Sequence, residues 1–110
     1  FDSRRIQTVQ RLLRLKWSVG MIGGTPRHAL YFFGLMEEHL IYLDPHQVQP
    51  FVDFTTADPP DLSSYHTRDF SCIAMRKIDP SMAFGFVCQN IGEFNQLVLE
   101  LKNVLAEDAE

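Results

Sequence analysis

Ile6, Val9, Leu12 and Leu13 recur at helical spacing through "RIQTVQRLLRLK" (residues 5–16), and the arginines fall mostly off that face. The spacing predicts an amphipathic helix with Asp2 or Ser3 as its cap. "WSVGMIGG" is a short apolar run that ends in two glycines, followed by Thr25-Pro26. Gly-Gly with a proline close behind predicts a turn or loop. "HALYFFGLM" and "HLIYLD" are rich in aromatic and β-branched residues and are separated by Glu37-Glu38. They predict a β-hairpin, antiparallel because no crossover helix fits between its arms.

From Pro50 to Ser71 the pattern changes to three prolines among many Asp, Ser and Thr. This is longer than an ordinary connection, which marks it as functional or mobile. "CIAM" and "SMAFGFVC" then predict two more short strands, joined by "KIDPS" with Asp79-Pro80 as the turn. In the last segment Ile91, Phe94, Leu97, Val98, Leu101, Val104 and Leu105 repeat at helical spacing, with Asn90 as cap and Glu93 completing a capping box. That stripe is expected to be core packing, and the closing "AEDAE" a frayed acidic tail. Helix, four or five strands, helix is an α+β order: a small antiparallel sheet flanked by helices.

The chain has 110 residues, 45% of them hydrophobic, with nine Phe. That is one globular domain or part of one, able to bury a modest core. The net charge of −4 is uneven: Arg4, Arg5, Arg11, Arg14 and Lys16 face only Asp2 in the first sixteen residues, while the rest holds 5 basic and 13 acidic groups. No basic patch follows the first helix, so a nucleic-acid partner is not expected. The basic start is the solvated face of a helix, or docks on an acidic neighbour. Stable membrane insertion is not expected either, because no run reaches the length of a bilayer span. Cys72 and Cys88 sit in apolar surroundings and outside any CxxC pair. They read as free buried thiols in a reducing, cytoplasmic compartment.

The chemistry concentrates in "YLDPH". In an extended chain Asp44 and His46 project to the same side, about 6.6 Å apart along the backbone. Pro45 fixes its own φ and keeps Asp44 out of the helical region. A carboxylate that accepts from one imidazole nitrogen leaves the other free as a base. An ordinary strand-ending turn accounts for the tripeptide equally well. His28, His39 and His66 lack the spacing of a ligand set, so neither a metal nor a cofactor is expected.

Three stretches widen the picture: "SVGMIGGTPRHALYFFG", "LIYLDPHQVQ" and "IDPSMAFGFVC". In this order and spacing the chain resembles the C-terminal part of the autophagins, autophagy-related cysteine proteases with a papain-like fold. The resemblance covers residues 18–49 and 78–95 and is weakest from Phe51 to Phe70, where Tyr65-His66 echoes a family "HC" and Thr67 replaces the cysteine. It implies that residues 1–110 are the C-terminal part of a papain-like peptidase domain. His46 and Asp44 would be the base and orienter of a Cys-His-Asp triad. Gly23, Gly24, Thr25, Pro26, Arg27 and His28 would form a substrate-gating loop, with Thr25-Pro26-Arg27 in place of the usual Lys-Pro-Asn. Cys88 matches a structural cysteine of the family, and Cys72 precedes a strand. Neither opens a helix, so the nucleophile is expected upstream, on the N-terminal part of the same protease. The substrate implied is a ubiquitin-like autophagy modifier, cut after a C-terminal glycine and released from phosphatidylethanolamine. The alternative is a catalytically inactive fragment or paralogue that binds or regulates the modifier.

Overall fold

The first helix, α1 (Ser3–Leu13), starts where the side chain of Asp2 accepts the backbone N–H of Arg5. Ile6, Val9 and Leu12 are its buried positions. The computed structural model describes residues 2–56 and 58–109. The strands are β1 (Ser18–Thr25), β2 (His28–Met36), β3 (His39–Leu43), β4 (Ser71–Ala74) and β5 (Asp79–Phe86), and the second helix is α2 (Ile91–Ala109). They form one antiparallel sheet in the order β4-β3-β2-β1-β5. The expected α+β class is observed. Among the described residues no helix is long and apolar enough to cross a membrane.

One face of the sheet carries the core. Met21, Leu30, Phe32 and Leu40 meet Ile6 and Val9 of α1, with Met75 and Ile78 closing the cluster. The alternation of strand side chains leaves Ile22, Tyr31 and Phe33 on the other face, exposed. The β2–β3 hairpin forms as expected, with Glu37 in the left-handed region at φ 56°.

Several expectations need correction. Gly23 and Gly24 are not in a loop: β1 runs through both, pairing Gly23 with Leu30 and Gly24 with Ala29. The turn is only Pro26-Arg27, and Arg27 takes φ 66°, where a glycine is usual. Asp79-Pro80 is not a turn but the start of β5; the bend comes earlier, in a 3₁₀ turn over Met75–Lys77. β4 and β5, the two short strands expected here, form the two edges of the sheet; the bend between them carries the chain from one edge to the other, and Met75 and Ile78 are buried along it. The α2 stripe is only partly core: Leu97 and Val104 are buried, but Ile91, Phe94 and Leu105 are exposed. The helix packs chiefly on α1 rather than lying flat across the sheet, so only positions two turns apart are covered. The acidic end stays helical, and the basic face of α1 meets it: Arg11 pairs with Glu107, and the Thr8 hydroxyl donates to Asp108 at 2.7 Å. Cys72 is exposed and Cys88 half-buried; both are free thiols. Cys72 pairs with Ile41 on the uncovered side of the sheet, so its apolar neighbours in sequence do not bury it.

Candidate active site

β3 stops at Leu43, and Asp44-Pro45-His46 is a turn rather than the extended stretch expected. The reason is local. Asp44 Oδ1 accepts the backbone N–H of His46 at 2.9 Å, closing a turn of the kind aspartate forms with a residue two further on. Pro45 supplies the fixed φ for it. The turn folds the imidazole back, so His46 Nδ1 lies 2.6 Å from the same oxygen. An ionised carboxylate only accepts, so Nδ1 carries a proton, and in the neutral ring Nε2 is the nitrogen with a free lone pair.

The second partner of Asp44 is His28, whose Nε2 lies 3.3 Å from Oδ2. The rings of His28 and His46 stack at 4.4 Å between centroids with 21° between planes. Register explains this meeting. Tyr31 pairs with Leu43 as the last rung of that antiparallel ladder, so His28, three residues before Tyr31, lies level with the turn that follows Leu43. From the sequence alone His28 is expected only as part of the loop that follows the glycines. Its relation to Asp44 depends on the alignment of β2 with β3, which residue spacing alone does not disclose.

Asp44 is held below the ordinary carboxylate range. The chief cause is the His46 backbone N–H, then the His46 ring; partial burial pulls the other way, and the charges of His28 and His46 add smaller pulls downward. His46 and His28 are each about half exposed (48% and 50% of the side chain), against 29% for Asp44. The pair is therefore open to a reactant on one side and anchored on the other.

A hollow beside His46 is bordered by Gly23, Gly24, Thr25, Pro26, Arg27 and His28, with Asp79 and Ser81 across it. The structure thus brings every residue of the expected gating segment to the side of His46, as a tight hairpin tip. Gly24 adopts φ 129°, and a Cβ there would approach the His28 carbonyl oxygen at 3.1 Å. A side chain would disturb the strand that carries His28. On the far side of Asp44 a second hollow is closed by Ser63–His66 of the long polar segment, together with Tyr42 and Phe70. Neither cysteine borders either hollow. His39 is exposed at the opposite end of β3, and His66 lines the second hollow.

A family model described as the peptidase C54 catalytic domain matches residues 1–100. The chain is 38% identical over 100 residues to a protein named Cysteine protease ATG4C from Homo sapiens, covering 91% of this chain and 22% of that protein. It is 39% identical over 97 residues to Cysteine protease ATG4D from Xenopus laevis, covering 88% of this chain and 20% of that protein. It is 36% identical over 100 residues to Cysteine protease ATG4B from Gallus gallus, covering 90% and 25%. The chain spans about a fifth to a quarter of the length of these relatives.

Proposed function

The chain belongs to the peptidase C54 family, and on that premise we propose that it supplies the base and its orienter to a thiol protease of the autophagy system. The observation that carries this is the 2.6 Å contact between His46 Nδ1 and Asp44. It fixes the tautomer in which Nε2 takes a proton from a thiol, and it stabilises the imidazolium that results. The thiolate then attacks the scissile carbonyl, and His46 returns the proton to the leaving amine. The thiol is donated by the N-terminal part of the same protease, seated across the hollow beside His46. The exposed apolar face formed by Ile22, Tyr31 and Phe33 suits contact with that part.

The substrate in this reading is the C-terminal tail of a ubiquitin-like autophagy modifier, cut after glycine both from its precursor and from phosphatidylethanolamine, in the cytoplasm. The hairpin tip from Gly23 to His28 covers the entrance and moves aside for the tail. A narrow entrance favours glycine, because any side chain would clash where a bare backbone passes.

The test is His46→Ala in the full-length protein. Processing of a modifier precursor should fall by about 10²–10⁴-fold, the usual worth of a general base, while the far-UV circular dichroism and melting temperature stay close to wild type. Cleavage near the wild-type rate would reject the catalytic role of His46. Modifier binding without any cleavage by the wild-type protein would favour a binding or regulatory module instead.

A further inference from the structure

We infer that His28, Asp44 and His46 together form a site for zinc or a similar divalent transition metal, and that the bound metal switches off the base. One ligand atom from each residue lies within 4.8 Å of the other two. Two imidazole nitrogens and a carboxylate oxygen are the donors that zinc takes in open three-residue sites, with a fourth position left for water or another ligand. Tetrahedral bonds of about 2.0–2.1 Å place neighbouring donors about 3.3 Å apart, so the set must contract by up to about 1.5 Å. His28 can supply that movement, since it is exposed and follows directly on a two-residue turn. His39 and His66 are not part of the cluster.

The inference makes a specific chemical claim. The His46 nitrogen beside Asp44 is Nδ1, which carries a proton while it donates to the carboxylate. To ligate, Nδ1 must present its lone pair. In the neutral ring its proton therefore passes through solvent to Nε2, and the metal takes its place between His46 and Asp44. The Nε2–H tautomer that results cannot accept a proton. No electron is transferred, and no bond breaks other than N–H. The consequence for proteolysis rests on the role proposed above for His46; the binding itself does not.

The experiment titrates zinc ion alone, against a competing chromophoric chelator, into the full-length protein with its thiols alkylated to silence sulfur ligands. About one equivalent should bind, with an imidazole-dependent affinity that His28→Gln lowers about tenfold or more. Glutamine keeps a polar side chain beside Asp44 but has no metal-binding lone pair on nitrogen. His39→Gln, outside the cluster, should bind as wild type. In nitrogen-edited NMR the His46 proton should move from Nδ1 to Nε2 on binding. Absence of binding would overturn the inference, as would equal affinity in the His28→Gln and His39→Gln variants or a His46 tautomer unmoved at saturation. Zinc binding as described, in a protein that shows no peptidase activity, would leave this site standing and remove the proposed function.

Discussion

Asp44 accepts from the His46 backbone and ring through one oxygen and faces His28 with the other. Its folded-state pKa is lowered, so the stabilisation it contributes is fully present above the ordinary carboxylate value of 3.8 and is lost as pH falls through the lower folded value. Carbon-13 NMR of the Asp44 carboxyl should therefore show no inflection until below 3.8; an inflection at or above that value would contradict the hydrogen bonds described. Loss of activity between pH 5 and 7 would then not belong to Asp44. At this scale much was legible in the sequence. The Asp-Pro-His order indicated that the carboxylate and imidazole are close, because both ends of the contact are two residues apart. It did not indicate that a turn, rather than a pleat, brings them together. His28 was legible only as a neighbour of the glycines, since its partner lies across a strand pair whose register depends on the whole hairpin.

The elements show where periodicity informs and where it stops. The helical repeat in α2 located the helix correctly, and Asn90 and Glu93 bracket its start in a shifted form of the capping box: Asn90 accepts the Glu93 N–H, and Glu93 accepts the N–H of Gln89, one residue before the cap. The repeat could not tell how much of the stripe is covered, because that depends on how α2 lies against α1. Leu97 at 5% exposure and Ile91 at 73% carry similar hydropathy and opposite consequences. Leu97→Ala should destabilise the chain by about 2–5 kcal/mol in urea unfolding, as removal of a buried leucine does. Ile91→Ala should stay within about 0.5 kcal/mol in the same measurement on this chain. Equal effects would mean that α2 is packed along its full stripe. Likewise, the aromatic and β-branched residues of "HALYFFGLM" and "HLIYLD" indicated the hairpin, but nothing in "CIAM" or "SMAFGF" revealed that their strands take opposite edges. That choice follows from where Met75 and Ile78 find cover.

At the scale of the molecule, the sheet has one clothed face and one bare one. Tyr31, Phe33 and Phe70 form an aromatic group on the bare side, with Phe33 and Phe70 edge to face at 6.1 Å between centroids. Such a patch is a contact surface in waiting. The 110-residue chain by itself should self-associate in sedimentation velocity as concentration rises, and Phe33→Lys should return it toward monomer. A chain that stays monomeric at high concentration would show this face to be self-sufficient. The uneven charge also shows its pattern at this scale: Arg11 of the basic first helix pairs with Glu107 of the acidic last one.

The three side chains of the metal-binding inference lie within residues 28–46, the arms of a single hairpin and the turn that follows it. β5 must instead find β1 from the other side of the long polar segment, with Gly20 set against Gly85. Contacts between residues far apart in the chain incur a larger loop-closure entropy and form late. The three proposed ligands are thus carried by the most local contacts of the sheet. A chain stalled before β5 docks would already hold His28, Asp44 and His46 in register, so a kinetic trap in folding need not be chemically blank.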